Sequence, residues 1–134
     1  MAASEITGKV QQWEETGIAV ADGTNTTIQT IIVPNAARFC TVTVKNSHET
    51  TAFDAFNVAF RPTTNAPFVT HASIADSFTT PVHPLLSTSG SPVTLAAAAS
   101  VRMEFLVSSI DAIRLQASGA GAAGTAEVYF NFGA

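Results

Sequence analysis

The chain has 134 residues, a net charge of −4 and only 12 % charged side chains, about half the usual share for a soluble protein. Its six basic residues, Lys9, Arg38, Lys45, Arg61, Arg102 and Arg114, are scattered, which excludes the concentrated basic face that nucleic-acid binding requires. The single cysteine, Cys40, excludes an internal disulfide and a cysteine-based zinc site, and the longest apolar run, near Leu95 to Ala99, is far too short to span a membrane.

The opening residues, Met1 to Thr7, lack a basic region followed by an apolar stretch, so the expectation is neither signal-peptide export nor a membrane anchor. Ile6, Val10 and Trp13 have helix-like spacing, and residues 1–17 stay open as a first strand, a helical turn or an N-terminal arm. From Ile18 the period is two, the signature of a strand with opposite faces. Ile18 and Val20, the turn residues Asp22 to Asn25, and the β-branched run Thr26 to Val33 read as a hairpin, which Pro34-Asn35 ends. Cys40, Val42 and Val44 then alternate with Phe39, Thr41 and Thr43. After a polar loop over 46–51, Phe56, Val58 and Phe60 alternate with Ala55, Asn57 and Ala59.

Between Arg61 and Ser91 four prolines interrupt short apolar pieces, which predicts a long loop with one or two short edge strands. Order returns at Val93 to Leu95, and the Ala96 to Ala99 run is too short to nucleate a helix. Val101, Met103, Phe105 and Val107 face in, with Arg102 and Glu104 out. Ile113, Leu115 and Ala117 form the next inward row, and Ser118 to Gly124 reads as a flexible link into Val128, Phe130 and Phe132. The sum is an all-β chain of eight or nine short strands, a single-domain antiparallel β-sandwich for which a jelly roll is one form. Its domain occupies 18–134, with 1–17 as the N-terminal segment and a Pro-rich loop at 61–91.

The chemistry-bearing residues do not assemble into a reactive pattern. His48, His71 and His83 fall in predicted loops without the short spacings of metal ligands. The Ser87 to Ser91 run lacks the glycines of a nucleophile elbow, and Glu14-Glu15 reads as a solvated face. The glycines at 119, 121 and 124 have dinucleotide-fingerprint spacing, yet a strand rather than a helix follows them. The expectation is no enzyme, no cofactor and no metal. A folded monomer of this size exposes about 6,700 Å², hence about one charge per 400 Å², with 18 threonines in the sequence supplying much of the polarity. Such a surface suits contact with other protein chains. Trp13, together with Phe68 and Phe78 of the Pro-rich loop and the neighbouring Arg61, are the candidate contact residues.

The segment Ser109 to Gly119, followed by Gly124 to Phe132, resembles the end of many small virion proteins of tailed bacteriophages, and the low charge and abundant Thr and Ala are similar in style. The resemblance reads this end as a hairpin and implies a virion structural protein of the head decoration, or cement, type. That role carries the major capsid protein or another virion protein as partner, a homo-oligomer, with a trimer as the guess, and assembly in the host cytoplasm. A tail, neck or fibre-tip component with a glycan- or receptor-binding surface is the alternative. The resemblance transfers no site residue.

Overall fold

The computed structural model describes residues 9–70 and 93–133. Alternation of β-branched or aromatic residues with Thr, Asn and charged residues gives nine strands among them: β1 (Lys9–Val20), β2 (Thr26–Ile32), β3 (Phe39–Asn46), β4 (Phe53–Arg61), β5 (Val69–Thr70), β6 (Val93–Leu95), β7 (Ser100–Leu106), β8 (Ala112–Gly119) and β9 (Gly124–Gly133). One sheet has the order β1-β9-β3-β7, and the other runs β2-β8-β4 with β5 and β6 paired to β4. Every pairing between strands is antiparallel. The pairs β1 with β9, β2 with β8, β3 with β7, and β4 with β5 and β6 are those of one long hairpin rolled up. That wrapping is a jelly roll, the two-sheet answer to burying an apolar face on each strand.

The inward rows meet as the alternation requires. Cys40, Val42 and Val44 from β3, Val101, Met103 and Phe105 from β7, and Ala126, Val128 and Phe132 from β9 are buried against Phe56, Val58 and Phe60 of β4 and Ile113, Leu115 and Ala117 of β8. Phe60 and Phe105 meet edge to face across the two sheets with ring centroids 5.2 Å apart. Burial lifts the Cys40 thiol from its ordinary 9.0 to about 12, because a thiolate in an apolar core has no solvation. The native protein should therefore resist a thiol reagent at pH 8 and react only in denaturant. A folded-state value above the unfolded one also means that stability falls as pH rises past the ordinary 9.0. A reagent assay and urea melts at pH 7 and 9.5 check both.

Several local expectations give way to the rolled topology. Residues 18–33 are not a hairpin: β1 hydrogen-bonds to β9 and β2 to β8, in different sheets. The intervening turn is fastened to the end of β8, where Gly119 N–H donates to Ala21 O at 2.8 Å and Gly23 N–H donates to Gly119 O at 3.0 Å. Nor do β8 and β9 form a hairpin, since they too belong to opposite sheets. Ser118 to Gly124 is a tight connection rather than a flexible link. A Cβ on Gly119 would stand 2.0 Å from Ala122 O, and one on Gly124 2.9 Å from Phe53 Cε1. Residues 9–17 belong to β1, while residues 1–8 lie outside the described residues, as does most of the 61–91 loop. In β4 both faces are buried from Phe56 to Phe60, because that strand is central, with β8 on one side and β5 and β6 on the other. Ala96 to Ala99 is a turn, closed by Ala99 N–H donating to Ala96 O at 3.1 Å with Ala98 at φ 62°.

Candidate functional site

The four candidate contact residues separate. Trp13 stands opposite Phe130 in the β1–β9 ladder, so its ring points to the inner face and lies tilted on Phe130 at 5.0 Å between centroids. It remains 39 % exposed because β1 is an edge strand. Together with Gln29, Thr30, Ile31 and Ile32 it lines a small recess between the two sheets. Beside it Gln29 Nε2 donates to Glu15 Oε1 at 2.7 Å. Trp13 thus closes the side of the sandwich where β1 and β2 meet, and Glu15, exposed as its sequence position predicts, also takes part in a cross-sheet contact.

Arg61 and Phe68 do come together, on the other sheet. The Arg61 guanidinium lies 4.9 Å from the Phe68 centroid, and that of Arg114 4.8 Å from it, within cation–π range. Arg61 Nε donates to Asp111 Oδ2 at 2.8 Å, and Thr64 Oγ1 donates to Asp111 Oδ1 at 3.4 Å. The main chain repeats the link, with Asp111 N–H donating to Arg61 O at 2.9 Å. With both side chains of the ion pair about one-fifth to one-quarter exposed, this cluster pins residues 61–68 to the β7–β8 connection. Asp111→Ala should cost about 1–2 kcal/mol, less than a buried pair because water screens part of it, and a thermal melt would read the loss. Phe78 lies outside the described residues.

The outer face of the β1-β9-β3-β7 sheet holds features that pattern reading passed over. Register places Glu14, Tyr129, Thr43 and Arg102 in one row across the four strands, and Gln12, Asn131, Thr41 and Glu104 in the next. Over the first three strands these residues, apart from Arg102 and Glu104, line a shallow groove of about 660 Å³. Tyr129 O–H donates to Glu127 Oε1 at 2.5 Å. That bond, then burial, then the Glu127 and Glu14 charges hold the phenol above its ordinary 10.0, so Tyr129 stays neutral. Asn131 Oδ1 is buried without a partner among the described residues. At one end of the same face Phe39 and Leu106 are opposite each other in the β3–β7 ladder, 55 % and 57 % exposed. Single apolar residues in the outward alternation drew no notice in the sequence, since their pairing depends on register.

His48 lies in a loop, as its position predicts, partly exposed and held in place: its Nδ1 accepts from Thr50 N–H at 3.2 Å and Thr51 N–H at 3.0 Å. Among the described residues no three His, Cys, Asp or Glu side chains converge on a metal-sized site. Among them, too, no helix is long and apolar enough to cross a membrane. No protein-family model matches this chain, and no curated protein matches it in sequence.

Proposed function

We propose that this chain is a non-enzymatic structural protein of a tailed-bacteriophage particle, of the head decoration type, which binds the major capsid protein and strengthens contacts between capsomers. The observation that supports this reading most is a jelly roll, an architecture used by capsid and lectin domains, that displays Ile32, Phe39 and Leu106 more than half exposed at regular strand positions. Large apolar side chains held on a rigid sheet, on a surface poor in charge, suit a protein whose contacts are many, modest and multiplied by symmetry. The reading is tested by adding purified protein to particles that lack it. Binding together with a gain in thermal resistance is the expected result; neither binding nor gain discards the role.

A second reading is favoured by the outer-face groove. Tyr129, with Gln12, Glu14, Asn131, Thr41 and Thr43 around it and Trp13 and Phe130 also lining the groove, offers aromatic surface among amide, hydroxyl and carboxylate groups, the chemistry that holds a sugar ring. Such a surface would serve a tail or fibre-tip component that recognises a host glycan. A glycan array and a cell-adsorption assay, each with wild type and Tyr129→Ala, decide between the two; silence in both removes the glycan reading.

A further inference from the structure

Among the described residues, three of the sheet edges are blunted by bulges or short strands and one is not. β1 has register shifts between Lys9 and Gln11 and between Glu15 and Ile18, and β2 has one between Thr27 and Gln29. Among the described residues, the strands beyond β4 are β5 and β6, of two and three residues. Bulges and very short strands are two of the means by which a sheet keeps a further chain from adding to it. β7 uses neither. Its seven residues pair with β3 without a shift, from Leu106 opposite Phe39 to Ser100 opposite Lys45. It contains no proline, and both its charges, Arg102 and Glu104, are exposed. Among the described residues β3 is its one ladder partner.

The direction of its free main-chain groups follows from two bonds. Asn46 N–H donates to Ala99 O at 2.9 Å and Val107 N–H donates to Arg38 O at 2.8 Å, which makes these the hydrogen-bonded pairs at the two ends of the ladder. Such pairs alternate along an antiparallel ladder. The main-chain groups of Val101, Met103 and Phe105 therefore serve β3, while those of Ser100, Arg102, Glu104 and Leu106 point out of the edge.

We propose that two copies of this chain join through β7, antiparallel about a two-fold axis at Met103, and fuse their four-stranded sheets into one. In this register Arg102 of each copy faces Glu104 of the other, and Ser100 faces Leu106, so every outward-pointing residue of the strand exchanges both main-chain hydrogen bonds. The neighbouring two-fold registers centre on Arg102 or on Glu104. They set two arginines or two glutamates directly opposite, which is destabilising, and leave the end of the strand unpaired. Charge and hydrogen bonding thus select one register. The contact is isologous and closes on itself, giving a dimer and not a fibre. Across the seam the row Glu14–Tyr129–Thr43–Arg102 continues into Glu104, Thr41, Asn131 and Gln12 of the second copy, so the two outer faces become one surface.

Sedimentation velocity on the full chain over a range of concentrations tests this, with circular dichroism to show that each variant is folded. The wild type is expected to dimerise. Arg102→Glu, which puts Glu opposite Glu at two places, should raise the dimer Kd about ten- to hundredfold. Glu104→Arg should do the same, and the double variant Arg102→Glu/Glu104→Arg should restore the wild-type value to within about threefold, since the pairs are again of opposite sign. A wild type that stays monomeric, a trimer, or a dimer indifferent to Arg102→Glu overturns the proposal. The measurement uses the isolated protein, so its outcome is independent of particle binding.

Discussion

Replacing Asn46 by alanine is expected to lower the unfolding free energy by about 3–5 kcal/mol, as much as losing a core aromatic. Asn46 is fully buried at the end of β3, and its amide replaces water for three separate main-chain groups. Nδ2 donates to Thr51 O at 2.8 Å and to Leu95 O at 3.2 Å, and Oδ1 accepts from His48 N–H at 3.1 Å. Those bonds join the 46–51 loop to β6 and fix where the chain crosses from β3 in one sheet to β4 in the other. Alanine would strand two carbonyls and one amide in the interior, each costing about 1–3 kcal/mol unless water enters. Asn46→Asp separates size from hydrogen bonding. Its buried carboxylate would face two carbonyl oxygens, so its folded-state pKa would rise above the unfolded value. The stability of that variant is then greatest below about pH 4 and is lost as pH rises. Urea denaturation at pH 4 and pH 7 reads the difference; an Asp variant equal to wild type at pH 7 would show that the amide network carries no weight.

Asn46 also marks the boundary of what pattern reading reaches. Alternation in a strand is a property of neighbours in sequence, and it correctly assigned the buried rows Cys40-Val42-Val44, Val101-Met103-Phe105 and Ile113-Leu115-Ala117. Which strand pairs with which depends on contacts between distant residues. A turn such as Asp22 to Asn25 is chemically suited to a hairpin, yet Gly119 holds it as a corner between sheets. The same limit applies to the site. That Arg61 and Phe68 belong together was legible from their closeness in sequence, but the contributions of Asp111 and Arg114 come from the β8 region. Trp13 is a candidate contact residue on sequence grounds and is 39 % exposed, whereas its stacking on Phe130 follows from standing opposite that residue in the β1–β9 ladder. The outer-face rows and the β7 edge are features of register, and register is what a single strand's pattern leaves free.

Phe105→Ala is the second large effect, about 3–5 kcal/mol, and it separates the scaffold from the surface it presents. Phe105 is buried on β7 and meets Phe60 of β4 across the sandwich, so truncation removes an inter-sheet contact and leaves a cavity that a close-packed interior refills only in part. On the opposite face of the same ladder, Phe39 and Leu106 are more than half exposed, and Phe39→Ala should change stability by no more than about 0.5 kcal/mol. Trp13, the one tryptophan, lies on the far edge of the same sheet from β7. Its fluorescence during urea unfolding therefore reports whether damage at β7 is transmitted through β3 and β9. Coincident fluorescence and circular dichroism transitions for Phe105→Ala, both shifted to lower urea, are expected if the jelly roll unfolds as one unit. A fluorescence transition left in place while the circular dichroism transition moves would mean that β7 opens locally. In that event the edge would be too loosely held to template a second copy, because a strand that frays cannot hold Arg102 and Glu104 in one register.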